Sequence, residues 1–121
     1  MSHTDAFDAY DTATVPPVVA RYMDAQGDDG RRQSIIEAFA ADARVTDEGI
    51  DHVGQDGIRA WVDRTGGEYT YTTTLIGQRQ DGPDRWTVLA RLEGDFPGGV
   101  ADLRYRFTLH EDRISRLIIA P

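Results

Sequence analysis

The second half of the chain alternates apolar and polar residues over long stretches, and this pattern limits the possible folds most strongly. A period of two is the spacing of a half-buried strand. Turn sequences at residues 81–84, 97–99 and 111–112 divide the pattern into four runs. The predicted strands are residues 68–80, residues 85–95, a run with Leu103, Tyr105, Phe107 and Leu109 on one face, and residues 113–120. Consecutive strands joined by short turns predict an antiparallel meander.

The first half of the chain has apolar residues at helical spacing instead. One stripe begins after Thr14, with prolines in its first turn, and another lies within residues 54–67. The apolar residues are Val15, Val18, Val19, Tyr22 and Met23 in a first helix, Ile35, Ile36, Phe39 and Ala40 in a second, and Ile58, Trp61 and Val62 in a third. Residues 43–48 alternate as a short strand between the second and third helices.

This order of elements predicts an α+β fold. Helices gathered at the beginning and a meander at the end pack as a cone-shaped, curved antiparallel β-sheet wrapped around three N-terminal helices. A cone of this kind can enclose a pocket. We expect residues 1–14 to form a flexible arm and residues 15–121 to form a single domain.

The charge balance and the missing residue types exclude several classes of function. The 13 basic residues are all Arg and face 21 acidic ones, so nucleic acid and anionic membrane surfaces are not expected as partners. The lack of Lys excludes Schiff-base chemistry, and the lack of Cys excludes thiol nucleophiles and thiolate metal sites. No apolar run approaches the ~20 residues of a membrane span. The acidic beginning of the chain is unlike a signal peptide, so we expect a cytoplasmic protein.

Asp47 is the first candidate catalytic residue. If the strand runs unbroken from Ala43, the carboxylate lies on the apolar face beside Val45. Burial there raises the pKa of a carboxyl group toward the range of a general base. The alternative is that the strand ends at Thr46 and that Asp47 begins a turn. A raised pKa of Asp47 favours catalysis, and a pKa near the ordinary value of about 4 favours a non-catalytic pocket.

Two tyrosines are the other candidate catalytic residues, because each places a hydroxyl group among apolar neighbours. Tyr22 lies in the apolar stripe of the first helix, and Tyr105 lies on the inward face of the penultimate strand. Either hydroxyl can donate a hydrogen bond to a substrate oxygen. The alternative for both is a structural role, with Tyr22 bonded to a backbone carbonyl and Tyr105 filling the core of the sheet.

The remaining predicted site residues are ligand contacts. Val19, Trp61, Trp86 and Phe107 are expected to face the interior of the cone, and His52 is expected in the loop before the third helix, near the pocket mouth. One histidine beside an aspartate does not make a metal site, so no metal is expected.

Residues 18–22, 35–43, Val45, Asp47 and 54–61 together resemble the nuclear transport factor 2-like superfamily. More narrowly, they resemble its SnoaL-like polyketide cyclase and ketosteroid isomerase branch. The resemblance is clearest over residues 15–65, and the order of the later strands fits the same cone.

The resemblance implies roles for the candidate residues. In ketosteroid isomerases a tyrosine late in the first helix donates a hydrogen bond to the substrate carbonyl, and Tyr22 matches its place. An aspartate at the end of the first strand moves the proton, and Asp47 matches its place. The second donor of the family is a protonated aspartate on a late strand. Tyr105 is the nearest match by strand face, whereas Asp102 falls on the opposite face. Glu48 stands where the motif after the aspartate commonly has proline.

The resemblance therefore implies a cofactor-free enzyme that removes a proton next to a carbonyl group of a small hydrophobic substrate. It also implies a homodimer formed through the open face of the sheet. The alternative function is a non-catalytic module of the same fold that binds a small molecule or supports dimerisation. An epoxide hydrolase or dehydratase ranks lower, because no acid–Arg–acid arrangement and no pair of inward histidines is visible.

Overall fold

The described residues, 7–26, 29–65 and 69–121, form a seven-stranded sheet and three α-helices in the computed structural model. The strands are β1 (Asp8–Ala9), β2 (Phe39–Asp47), β3 (Ile50–Val53), β4 (Tyr71–Gly82), β5 (Arg85–Gly94), β6 (Val100–His110) and β7 (Arg113–Ala120). The helices are α1 (Pro17–Ala25), α2 (Arg32–Glu37) and α3 (Gly54–Thr65), and a 3-10 turn (Asp29–Arg31) precedes α2. The predicted α+β fold is confirmed.

The strand order is β1-β4-β5-β6-β7-β2-β3, so the meander β4 to β7 is extended at its far edge by the early hairpin β2–β3. All neighbouring strands are antiparallel except β2 and β7, which run parallel. The inner face of this curved sheet packs on the helices. No helix among the described residues is long and apolar enough to span a bilayer.

The core lies between the inner face of the sheet and the helices. Val88, Phe107 and Leu117 are at most 1% exposed, and Phe107 lies on the inward face that period two predicts. The Tyr22 ring packs edge-on against Phe39 and Phe107, with centroids 5.9 and 5.6 Å apart. Edge-to-face packing of this kind adds roughly 0.5–1.5 kcal/mol beyond the burial of apolar area.

The second helix is shorter than the sequence predicts. It ends at Glu37, and Phe39 and Ala40 belong to β2 rather than to the buried face of a helix. The cause is tertiary pairing, because Phe39 lies opposite Ile114 and the backbone amide of Ile114 donates to the carbonyl of Ala38 at 2.9 Å. The strand predicted at residues 43–48 therefore begins earlier, at residue 39.

The short strand β3 is absent from the sequence prediction. It pairs with β2 through a two-residue turn at Glu48 and Gly49, whose φ angles are 54° and 75°. Two successive positive φ values are the signature of a type I′ hairpin turn. Its apolar residues Ile50 and Val53 are 54% and 55% exposed. The strand therefore lacks the alternation of buried and exposed residues by which the other strands are predicted. His52, predicted in a loop, consequently lies on this strand.

Part of the predicted N-terminal arm lies against the sheet. Asp8 and Ala9 pair with Gln78 and Gly77 of β4, and the backbone amide of Asp11 donates to Gln78 Oε1 at 2.6 Å. Residues 1–6 of the predicted arm lie outside the described residues.

We expect Glu48→Asn to stabilise the hairpin that holds Asp47. Asn is the residue most favoured before Gly in a type I′ turn, and the left-handed region costs most other L-residues roughly 1–2 kcal/mol. Urea denaturation is expected to show a free energy of unfolding higher by up to about 1 kcal/mol. The control is Glu37→Asn, at an exposed helical position where no gain is expected. An unchanged or lower midpoint for Glu48→Asn would contradict the turn assignment.

Candidate functional site

A cavity of about 620 Å³, a size typical of small-molecule sites, is lined by residues of the helices and of the sheet. Helices α1 and α3, the ends of β2 and β7, and the β5–β6 loop contribute to its wall. The residues of its lining are Tyr22, Gln26, Arg32, Ile35, Asp47, Glu48, Gly49, Trp61, Val62, Thr65, Tyr69, Tyr71, Leu92, Phe96, Pro97, Ala101, Leu103, Tyr105, Ile119, Ala120 and Pro121. Apolar and aromatic side chains make up most of the wall, and Gln26, Arg32, Asp47, Glu48 and Thr65 add polar or charged groups.

The register of three strands places two candidate catalytic residues in one row. Tyr105 of β6 lies opposite Ile119 of β7, and Ile119 lies opposite Asp47 of β2. All three line the cavity. Strands lie about 4.8 Å apart, so the backbones of Asp47 and Tyr105 are separated by roughly 10 Å. A small substrate can therefore contact both side chains.

Asp47 is held by a side chain from helix α3. Trp61 Nε1 donates a hydrogen bond to Asp47 Oδ2 at 3.0 Å. Trp61 is the one side chain among the described residues that donates to this carboxylate, which leaves Oδ1 available to a ligand. Trp61 itself is 5% exposed, so its indole is fixed by packing and orients the carboxylate.

Tyr22 and Tyr105 form a pair of neighbouring hydroxyl groups. Their ring centroids are 6.3 Å apart, and Gln26 Nε2 donates to the Tyr105 hydroxyl oxygen at 3.0 Å. The Tyr105 proton thus stays free to be donated. The Tyr22 hydroxyl group has no hydrogen-bond partner among residues 7–26, 29–65 and 69–121. Both groups can donate to an oxygen atom bound in the cavity.

Burial keeps both phenols neutral. It is the largest cause that raises the pKa of Tyr22 well above the ordinary value of 10.0, and the neighbouring Tyr105, Tyr71 and Asp47 raise it further. Burial likewise raises the pKa of Tyr105, although the hydrogen bond from Gln26 partly opposes it. The Asp47 charge contributes to both shifts, as expected for groups that share one poorly solvated space.

Several polar lining residues, among them Tyr71 and Gln26, are missing from the sequence prediction. Tyr71, at the beginning of β4, is half-buried, and burial and the Asp47 charge raise its pKa. Gln26 follows the last residue of α1 and orients Tyr105. The alternation Tyr71, Thr73, Leu75 on the inner face of β4 is a signal that could have identified Tyr71. No local pattern identifies Gln26, because its partner is 79 residues away.

Comparison with known proteins identifies the family of this chain. No protein-family model and no curated protein matches the sequence. A candidate polyketide cyclase from Sinorhizobium meliloti shares 33% sequence identity with it, over 92% of this chain and 100% of that one, with a TM-score of 0.83. The chain belongs to the nuclear transport factor 2-like superfamily, in its SnoaL-like polyketide cyclase and ketosteroid isomerase branch.

Two further solved structures share the fold of this SnoaL-like chain. A protein from Catenulispora acidiphila with a ketosteroid isomerase-like fold, solved with trimethylamine, is 19% identical over 89% of this chain and 87% of its own, with a TM-score of 0.77. A Mycobacterium tuberculosis protein solved with estradiol-17beta-hemisuccinate is 13% identical over 87% of this chain and 91% of its own, with a TM-score of 0.72.

Several predicted ligand contacts of the SnoaL-like chain do not line the cavity. Trp61 does, but Val19, Trp86 and Phe107 lie in the core, where they are 0%, 9% and 1% exposed. Trp86 and Phe107 pair with each other across β5 and β6, beyond the row that carries Tyr105. In the structure these three residues belong to the buried core and not to the lining of the cavity.

His52 also lies outside the cavity lining. Its ring packs against Trp61 with centroids 6.0 Å apart, and its Nε2 is buried without a hydrogen-bond partner in the described part of the chain. It contacts the residue that holds Asp47 rather than the cavity itself. Among the described residues, no group of three or more His, Asp or Glu side chains is placed to hold a metal ion.

We expect the buried phenols to make the protein less stable in alkali. Above pH 10 the unfolded chain loses phenolic protons that folded Tyr22 and Tyr105 retain, because their folded pKa values are raised. The free energy of unfolding should then fall by up to about 1.4 kcal/mol per pH unit for each such group. Denaturation midpoints between pH 8 and pH 11 measure this slope.

Tyr22→Phe and Tyr105→Phe should each make that slope shallower. Tyr69→Phe, at an exposed tyrosine, is the matched control. Equal slopes in all four proteins would contradict the assignment of buried, neutral phenols.

Proposed function

We propose that the protein is a cofactor-free isomerase or cyclase that removes a proton next to a carbonyl group of a small hydrophobic substrate. The observation that carries the proposal is the meeting of one oriented carboxylate, Asp47, with two neutral hydroxyl donors, Tyr22 and Tyr105, in an apolar cavity. A base and an oxyanion site at the two ends of a bound carbonyl compound are what enolisation requires.

Asp47 acts as the base in this proposal. Its Oδ2 remains bonded to Trp61, and Oδ1 takes the proton from the carbon next to the carbonyl group. The electron pair of that C–H bond forms the C=C bond of an enolate, and the carbonyl oxygen becomes negative. In an isomerase Asp47 returns the proton to another carbon. In a cyclase the enolate carbon attacks a second carbonyl of the same molecule, and the alkoxide oxygen that forms takes the proton back from Asp47.

Tyr22 and Tyr105 stabilise the enolate oxygen. Their raised pKa values keep both phenols protonated at neutral pH, so both can donate throughout the reaction. Gln26 uses one lone pair of the Tyr105 oxygen and thereby directs the O–H bond elsewhere. Donors held by packing need no reorganisation when the charge develops, and the loss of one such donor typically costs about 100- to 1000-fold in rate.

The cavity favours a neutral or weakly polar substrate. Its wall carries the apolar side chains of Ile35, Val62, Leu92, Leu103 and Ile119. The chain has a net charge of −8, which opposes the approach of anions. The relatives solved with trimethylamine and with estradiol-17beta-hemisuccinate support small-molecule binding by this fold.

Asp47→Asn is expected to abolish turnover, because the amide cannot accept the proton. The measurement is deuterium incorporation from D2O into a panel of cyclic enolisable ketones, followed by NMR, which requires no knowledge of the natural substrate. The expected loss is at least about a hundredfold. Asp42→Asn, at an exposed position of the same strand outside the cavity, is the control. A loss below tenfold on a ketone that the native protein exchanges would contradict the proposal.

The alternative is a binding module without catalysis. Its support is the same cavity, which has the size and apolar wall of a ligand site whether or not Asp47 reacts. A native protein that binds ketones in thermal-shift and NMR experiments but exchanges none of their protons would favour this alternative.

A homodimer through the outer face of the sheet remains part of the proposal. Light scattering that gives twice the mass of the chain would support it, and the mass of one chain would contradict it.

A further inference from the structure

We propose that Tyr71 supplies a third hydroxyl group that binds the substrate oxygen, and that Gly94 sets its position. The inference rests on the proposed enolisation and adds two residues to it. Neither Tyr71 nor Gly94 is predicted as a site residue from the sequence.

Tyr71 lies across the cavity from Asp47. Strands β5, β6 and β7 separate β4 from β2, so a flat sheet would place them about 19 Å apart. The sheet is curved, and both residues line the same cavity. The Asp47 charge also contributes to the raised pKa of Tyr71, although burial contributes more. A substrate that touches Asp47 on one wall therefore meets Tyr71 on the other.

The Tyr71 hydroxyl group has hydrogen-bonding capacity that the protein leaves unused. It is half-buried, and it has no partner within the described ranges. Asp47 accepts from Trp61, and Tyr105 accepts from Gln26, so neither depends on Tyr71. Buried polar groups are normally paired, and a free donor in a cavity is well placed for a ligand. The oxygen of an enolate carries enough charge to accept from several donors.

Gly94 lies directly opposite Tyr71 in the pairing of β4 with β5. A Cβ atom at Gly94 would lie 2.3 Å from the Thr70 carbonyl oxygen, 2.6 Å from Tyr71 Cβ and 2.8 Å from Tyr71 Cα. Those distances are too short for any side chain. The absence of a side chain, rather than an unusual backbone conformation, is therefore what this position requires.

Hydrogen bonds also join the beginning of β4 to the end of β5 and to the loop that follows it. The Thr70 amide donates to Asp95 Oδ1 at 2.9 Å, and the Asp95 amide donates to the Thr70 carbonyl at 3.1 Å. The Gly94 amide donates to the Gly99 carbonyl at 3.0 Å. We call these residues, Thr70, Gly94, Asp95 and Gly99, the corner clip. The hydrogen bonds of the corner clip fix the beginning of β4 against β5, and we infer that they thereby orient the ring of Tyr71 toward the cavity.

Binding of 4-nitrophenol tests the role of Tyr71 without any substrate. Its phenolate oxygen resembles an enolate oxygen, and its absorbance reports the ionised fraction. We expect Tyr71→Phe to weaken phenolate binding about tenfold or more, because hydrogen bonds to charged acceptors are worth about 1.5–3 kcal/mol. In Tyr71→Phe the kcat of ketone exchange should fall, while its KM should stay nearly unchanged. Tyr10→Phe, at a half-buried tyrosine outside the cavity lining, is the matched control.

A double-mutant cycle tests the role of Gly94. Gly94→Ala should weaken nitrophenolate binding toward the level of Tyr71→Phe, and the double variant should lose no more than about twofold beyond Tyr71→Phe alone. If Gly94→Ala does not fold, Asp95→Ala takes its place, because it removes the acceptor of the Thr70 amide. If the fold-losses of the two single variants multiply in the double variant, in either cycle, the two residues act independently and the positioning role of Gly94 is overturned.

The results for Tyr71 and for the proposed function are separable. Unchanged phenolate binding and exchange by Tyr71→Phe, together with an inactive Asp47→Asn, would overturn this inference and leave the enolisation standing. An active Asp47→Asn would overturn the enolisation, while weaker phenolate binding by Tyr71→Phe would still support a donor role in the cavity.

Discussion

The parallel pairing of β2 with β7 is the contact on which the rest of the site depends. It extends the meander by a strand from the beginning of the chain and places Asp47 beside Ile119, in the row that carries Tyr105. Without this pairing the sheet would end at β7, and the carboxylate would have no cavity to face. The same pairing explains why β2 starts at Phe39 and shortens the helix before it.

In the proposed mechanism, the polar groups of the cavity combine the carboxylate of Asp47 with several neutral hydroxyl donors. Asp47 retains a hydrogen bond from Trp61, which offsets part of the cost of placing a carboxylate in an apolar wall. The tyrosines respond oppositely, because burial and the nearby carboxylate both disfavour their ionised forms. The raised pKa values of these phenols keep them as neutral hydrogen-bond donors beside the carboxylate.

The sequence predicts the architecture well because period-two and helical patterns report burial directly. Trp86, Val88, Tyr105 and Phe107 lie inward as predicted, and the α+β fold is confirmed. The errors have physical causes. Phe39 follows its tertiary partner Ile114 rather than the local helical pattern. Inward position also does not distinguish a core residue from a cavity residue, so Phe107 and Tyr105 look alike in the sequence but differ in depth. The alternation in β4 indicates that Tyr71 points inward, but that it shares a cavity with Asp47, four strands away, depends on the curvature of the sheet, which no local pattern carries.

The β2–β7 pairing also has a consequence for folding. It joins residues about 70 positions apart, whereas every contact between consecutive strands of the meander is closed by a short turn. Loop-closure entropy makes such distant pairings slow to form, so this contact and the β1–β4 pairing, whose residues lie about as far apart in the sequence, are the costliest steps in the topology. An intermediate with an intact meander and detached β2 would keep most of its sheet hydrogen bonds yet lack the wall that carries the carboxylate. The appearance of a ligand site during refolding would thus mark the end of folding rather than the formation of the sheet.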